Sequence, residues 1–216
     1  MNTVINGAIG GWYPKGQERL SKSLFEHSPN VRQVLQRGFS EKSLSDNPYN
    51  IKADILFHER FYSEVLWMDC SCWAIKDIQP IFDIIKRDGY YILSSGYNAA
   101  QTCNDKCLDY FAITRDEAEK IPDSSTMVFG VDMNQHIGLK FCHEFMDASK
   151  NGIADGSRFH DNQSADPRFL FHRQDQSIAT CIAYKLGMKL HSFGEHVHYD
   201  EHGKANDSVC IISRGM

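Results

Sequence analysis

Along this chain the spacing of apolar positions switches repeatedly between two periods, and each switch marks an element. "TVINGAI" (3–9) reads as a strand and "GGWYPKG" (10–16) as a turn-rich loop. In "QERLSKSLFEHS" Leu20, Leu24 and Phe25 share one helical face while Gln17, Glu18 and Lys22 face out. "NVRQVLQRGF" is read as a second strand, and "SEKSLSDNPYN" as a loop rich in Ser, Asp and Asn. Ile51, Ile55, Leu56 and Phe57 have helical spacing and lead into "SEVLWMD" (63–69), a short buried strand. Ile78, Ile81, Phe82 and Ile85 line the next helix, which Gly89 stops before the strand "YYILSSGY". Strands alternating with amphipathic helices imply an α/β fold: a mixed, mostly parallel sheet flanked by helices on both faces.

The second half is less regular. "NDKCLDYFAI" and "TRDEAEKI" predict short helices, the latter with a Thr114–Glu117 capping box. "STMVFGVDM" predicts a strand, "QHIGLKFCHEFMDASKNG" a helix ending at Gly152, and "DQSIATCIAYKLGM" another helix. The polar stretch "IADGSRFHDNQSADPRF" (153–169) is long for an idle connection and suggests a lid or substrate contacts. A histidine-rich tail ends in the strand "SVCII".

With 216 residues and 42% hydrophobic content, the chain is expected to form one domain, 1–216, without an internal linker. A net charge of -5 argues against a long phosphate-backbone footprint, and so against nucleic acid as partner. No stretch approaches the roughly 20 apolar residues of a membrane span, and "MNTVINGAIGG" lacks the pattern of a secretory leader. A cytoplasmic protein is the expectation. Its seven cysteines, an odd number without scaffold spacing, are expected as reduced, mostly buried thiols. Cys70 and Cys72 with Cys103 and Cys107 make a weaker alternative, a tetrahedral zinc site.

Ligands of open α/β sheets collect at the carboxyl ends of parallel strands, which is where Asp69 falls in "EVLWMDCSCW". An apolar strand ending in Asp, a polar residue two positions on and then an amphipathic helix resembles the metal and nucleotide-sugar segment of GT-A glycosyltransferases. There an Asp-x-Asp motif holds a divalent cation. Here the slot reads Asp69-Cys70-Ser71, with serine in place of the second aspartate. The resemblance implies Mn²⁺ or Mg²⁺ on Asp69 and Ser71, with His196 or His198 of "EHVH" completing the shell. The opposing reading of Asp69 is a turn cap.

"INGAIGGWYPKGQERLSKSL" is similar to the first strand and loop of the same enzymes, which implies Asn6, Gly7 and Ala8 beside the nucleotide. Trp12 either stacks on the base or covers the core. Lys52 is either the lysine these families often carry near the donor or an exposed helix charge. "DPRFLFHRQDQSIATCIAYKLGM" resembles the late "HR.DQS" segment of glycosyltransferase-like families. That likeness implies Asp175 as the base that deprotonates the acceptor, Arg173 near the donor, and His172 and Gln176 near the acceptor. Capping alone is the competing account of Asp175. Asp132, Asn134 and Gln135 are expected on the acceptor side of the sheet.

The function implied is transfer of a sugar from a nucleotide diphosphate donor, most simply a UDP-sugar, to a glycan or other hydroxyl acceptor. Residues 1–100 would form the donor half and 101–216 the acceptor half. The alternatives are a nucleotidyltransferase, for which "GGWYPKG" is a poor phosphate loop, and a non-catalytic binding module of the same fold.

Overall fold

The computed structural model describes residues 1–37, 47–156 and 164–214. Most of the predicted loop "SEKSLSDNPYN" and the middle of the predicted lid, 157–163, lie outside the described residues. Strands β1 (Thr3–Ala8), β2 (Arg32–Arg37), β3 (Glu64–Met68), β5 (Tyr90–Asn98) and β6 (Pro122–Asp132) form one sheet in the order β2-β1-β3-β6-β5. β1 runs parallel to β2 and β3, while β6 is antiparallel to both β3 and β5. Four strands therefore point one way and only β6 points back. Strand period reports which face a residue takes and says nothing of strand direction, so this reversal was invisible in the pattern.

Helices cover both faces, which is why the central strands read as unbroken apolar runs. On one face Val4, Leu66, Met68 and Val128 pack under α1 (Tyr13–His27) and α3 (Gln79–Asp88). Their sequence neighbours Ile5, Val65, Trp67 and Phe129 point to the other face. There they meet α2 (Ile51–His58), α7 (His136–Lys150) and α8 (Asp175–Lys185). The helix α3 stops at Gly89, whose φ of 86° is left-handed, as its position after the last apolar residue predicts. Thr114 and Glu117 form the expected reciprocal capping box at α6 (Arg115–Ala118). Asn98 and Gln101 make a second box at α4 (Ala99–Thr102), a one-turn helix too short for a periodic signal. Among the described residues the remaining α-helix is α5 (Asp105–Tyr110).

Beyond the central sheet, β4 (Cys72–Ala74), β7 (Val197–Tyr199) and β8 (Ile211–Ser213) form a three-stranded sheet in the order β4-β8-β7. Three-residue strands carry too little alternation to be seen in sequence, and only β8 was anticipated. This small sheet ties the C-terminal segment beside the turn that follows β3. Among the described residues no helix is long and apolar enough to cross a membrane.

Gly16 allows α1 to lie against that turn. A Cβ built there would stand 2.4 Å from the Cys70 carbonyl oxygen and 2.7 Å from the Trp12 ring. Replacing it with alanine is expected to cost about 1–3 kcal/mol, the usual range for overpacking, measurable by urea denaturation.

Candidate active site

The site lies at the carboxyl ends of β1 and β3, where the side chains of Asn6, Gln17 and Arg19 hold the chain that leaves β3. Asn6, near the end of β1, is buried and fully used by the fold. Its Nδ2 donates to the Met68 carbonyl at 2.6 Å, and its Oδ1 accepts from Gln17 Nε2 at 2.8 Å. Arg19 donates to the Ser71 and Cys70 carbonyls at 2.8 and 3.3 Å while its guanidinium lies 4.1 Å from the centre of the Trp73 ring. Together these bonds fix the Asp69–Ser71 turn from two sides. Gly7 packs against Ile51 and Ile55 of α2 and Ala8 is buried, so both seat the strand end.

Held in this way, Asp69 points at an ammonium. Its Oδ1 accepts from Trp67 Nε1 at 2.6 Å and lies 3.1 Å from Lys52 Nζ. On the other side of the same Nζ, Asp175 Oδ2 lies at 2.9 Å. Thr126 closes the group: Lys52 donates to its carbonyl at 3.0 Å and its hydroxyl at 3.2 Å, and that hydroxyl donates to Asp175 Oδ2 at 2.7 Å. Four oxygens from three elements thus surround one nitrogen. Burial pulls the Lys52 pKa down, but the two carboxylates outweigh it and hold it above the ordinary lysine range. The side chain of Asp69 stays one-third exposed, so this cage opens to solvent on the Asp69 side.

Each partner is delivered by local structure. Lys52 stands in the first turn of α2, and Thr126 lies on β6, whose reversed direction brings its early residues to this end of the sheet. Asp175 opens α8 immediately after Gln174, a non-glycine residue at φ 47°, ψ −111°. Backbone strain of this kind concentrates where a side chain must be aimed. Gly156 gives Gln174 the room it needs, since a Cβ on Gly156 would come within 2.7 Å of Gln174 Nε2.

Aromatic and basic groups rim the cage. Burial raises the pKa of Tyr13 and of Tyr49, and the next cause is the negative charge of Asp69 for the first and of Asp175 for the second. Tyr199 is raised in the same way, with Asp69 and Arg173 among the charges it senses. Arg173 has no carboxylate partner among the described residues. Its guanidinium sits 5.6 Å from the centre of the Phe171 ring. Trp12 is 42% exposed and meets Tyr13 edge to face. Tyr13, Tyr49, Tyr199 and Thr126 were not singled out in the sequence. Loop tyrosines carry no spacing signal, and Thr126 needed the direction of β6.

Several expected residues sit elsewhere. Asp132 pairs in register with Glu64, at the start of β3, whereas Met68 pairs with Val128. Asp132 therefore lies about 16 Å from the Asp69 end, five residues at about 3.3 Å each. Its carboxylate accepts from the Asn134 backbone and from Gln135 Nε2, so all three residues form a turn at the opposite edge. β6 runs antiparallel to β3 and β5, which carries its last residues to that edge. His172 is fully buried, its Nδ1 accepting from Asn104 N and its Nε2 3.0 Å from the Ile153 carbonyl. That network assigns the neutral Nε2-protonated tautomer, a strut beneath the loop. Gln176 is also buried and donates to Asp123 at 2.7 Å.

The expected metal ligands do not converge. Ser71 Oγ accepts from Ser213 Oγ at 3.1 Å, and His198 Nε2 lies 3.1 Å from the Gly203 carbonyl. His196 packs edge-on against Tyr91, its Nδ1 buried without a partner among the described residues and its pKa lowered by burial. The place between the two facing carboxylates is taken by Lys52 Nζ, so these residues do not fit a Mn²⁺ or Mg²⁺ ion bound by an Asp-x-Asp motif. Nor do Cys70 and Cys72 join Cys103 and Cys107. Cys103 and Cys107 each lie 3.9 Å, sulfur to sulfur, from Cys181 in the core, the one group of three or more His, Cys, Asp or Glu side chains with metal-ligand proximity among the described residues. All seven thiols are buried and free, as expected.

No protein-family model and no curated protein sequence matches the chain. Solved structures do. WbbM, a bifunctional glycosyltransferase in its apo form, superposes at TM-score 0.61 with 12% identity over 98% of this chain and 45% of that one. The chain thus spans under half of that protein. Mouse xyloside xylosyltransferase 1, also apo, superposes at TM-score 0.55 with 10% identity, covering 98% of this chain and 97% of its own. At such identities the likeness establishes the fold, which is of the GT-A glycosyltransferase type.

Proposed function

We propose that this chain is a glycosyltransferase that moves a sugar from a nucleotide diphosphate donor, a uridine one in the simplest case, to a hydroxyl of a glycan or other acceptor. The observation that carries the reading is the Asp69–Lys52–Asp175 cage at the carboxyl ends of β1 and β3, where α/β sheets bind their ligands. Trp12, Tyr13 and Tyr49 offer ring faces and phenols for the nucleoside. Arg173 offers its guanidinium to the diphosphate. In an inverting displacement the acceptor oxygen attacks the anomeric carbon and gives its proton to Asp175. The bond from that carbon to the diphosphate breaks, and its electron pair leaves on the phosphate oxygen. The cage draws on both the 1–100 and the 101–216 segments, so donor and acceptor functions share residues across that division.

Purified protein offered a panel of UDP-, GDP-, CDP- and ADP-sugars is expected to release the nucleoside diphosphate slowly from one class, faster once an acceptor is supplied. Binding of a nucleotide sugar without turnover, across a broad acceptor panel, would instead favour a non-catalytic module.

A further inference from the structure

A departing diphosphate gathers negative charge, and a GT-A site normally meets it with a divalent cation. Here the two carboxylates that face each other across the cleft are occupied by an amine. We propose that the Lys52 ammonium does the work of that cation, so that nucleotide diphosphate binding at this site is independent of metal. The inference rests on the glycosyltransferase reading above and adds to it the nature of the positive charge.

Three observations carry it. First, Lys52 is built in: its side chain is 13% exposed and, besides the two carboxylates, it donates to the carbonyl of Thr126 and to the Thr126 hydroxyl that in turn donates to Asp175. An ammonium has three N–H groups and meets four oxygens here. One contact is therefore shared, and the longer ones, to Thr126 Oγ1 at 3.2 Å and to Asp69 Oδ1 at 3.1 Å, are those a phosphate oxygen can replace. Second, the residues that would complete a metal shell do not gather at the cage: Ser71 Oγ bonds Ser213, His198 lies against the Gly203 carbonyl, and His196 packs edge-on against Tyr91. Third, the charges can be accounted for without an ion. Two carboxylates are matched by one ammonium and by the guanidinium of Arg173, two residues before Asp175 and without a carboxylate partner among the described residues, so the protein's own groups sum to zero and the site does not repel an anionic diphosphate. Once the phosphate has taken its share of Lys52, Asp69 is released to accept hydrogen bonds from donor hydroxyls, which its exposed side allows.

The test is calorimetric titration of the full chain with UDP, GDP, CDP and ADP, in excess EDTA and in excess Mn²⁺. The expected result is binding of at least one nucleotide with a Kd that agrees within about twofold between the two conditions. The electron paramagnetic resonance signal of free Mn²⁺ should also stay at full height when protein and that nucleotide are mixed, beyond the loss seen with nucleotide alone. Neither measurement needs a variant. Lys52→Met, checked for folding by circular dichroism, is expected to weaken binding in EDTA at least tenfold. Binding that appears only with Mn²⁺, with protein-dependent loss of the free-ion signal, would overturn the role given to Lys52 and leave glycosyl transfer standing. If no nucleoside diphosphate or nucleotide sugar binds under either condition, the glycosyltransferase reading itself fails.

Discussion

Asp175→Asn is expected to lower sugar transfer by about 10²–10⁴-fold, the usual contribution of a positioned general base, while nucleotide affinity changes only a few-fold. The substitution discriminates because asparagine serves the fold almost as well. It tolerates the first turn of α8, and its carbonyl oxygen can take the place of Oδ2, accepting from Thr126 Oγ1 and Lys52 Nζ. What asparagine lacks is a basic oxygen for the acceptor proton. If Asp175 were only a helix-start residue, the variant would transfer sugar at the wild-type rate, and a mechanism built on it would fall. Single-turnover transfer from a donor already bound separates the two outcomes, since it reads the chemical step apart from binding.

How much of this was legible in the sequence depends on the scale at which the signal lives. Helices and long strands announce themselves through period, so α1, α3 and α7 and the buried strands β1 and β3 were readable one segment at a time. Asp69 was readable as well, because an apolar run that stops at an aspartate delivers it to the end of a strand. Strand direction is a property of the whole chain path, and it decided two placements at once. The reversal of β6 carried Asp132, Asn134 and Gln135 to the far edge and brought Thr126 into the cage. Lys52 was identifiable as a residue, yet in sequence nothing separates it from an exposed helix charge. Only the meeting of α2, β3 and the start of α8 converts it into the centre of the site. The late histidines show the same limit: alternation orders them along a strand without saying which neighbours they face.

The bonds behind Asp175 make the site sensitive to a second carboxylate. Asp123 is completely buried at the start of β6, its Oδ1 accepting from Thr102 and Thr180 at 2.8 and 2.7 Å and its Oδ2 from Gln176 at 2.7 Å and from Ser95. Gln176 is the residue after Asp175, so this carboxyl braces the turn that aims the base. Burial pushes the Asp123 pKa up to about 6, and the hydroxyl donors only partly offset it. A carboxyl held above its unfolded value binds its proton more tightly when folded. Its stabilising contribution is therefore complete below the unfolded pKa near 3.8 and is lost as pH rises through about 6. A difference of about two units corresponds to about 3 kcal/mol in all, lost from well below the lower limit to well above the upper one. Asp123→Asn removes the titration while leaving an oxygen for Thr102 and Thr180, and rotation of the Ser95 hydroxyl and a flip of the Gln176 amide can satisfy the new N–H groups. The expected result is that the stability difference between wild type and variant, from urea denaturation at a series of pH values, shifts by about 2 kcal/mol in the variant's favour from pH 4 to pH 7. A difference that stays flat across that range would mean that the donors around Asp123 keep it ionised in the folded protein, and that the brace behind Asp175 is a permanently charged one.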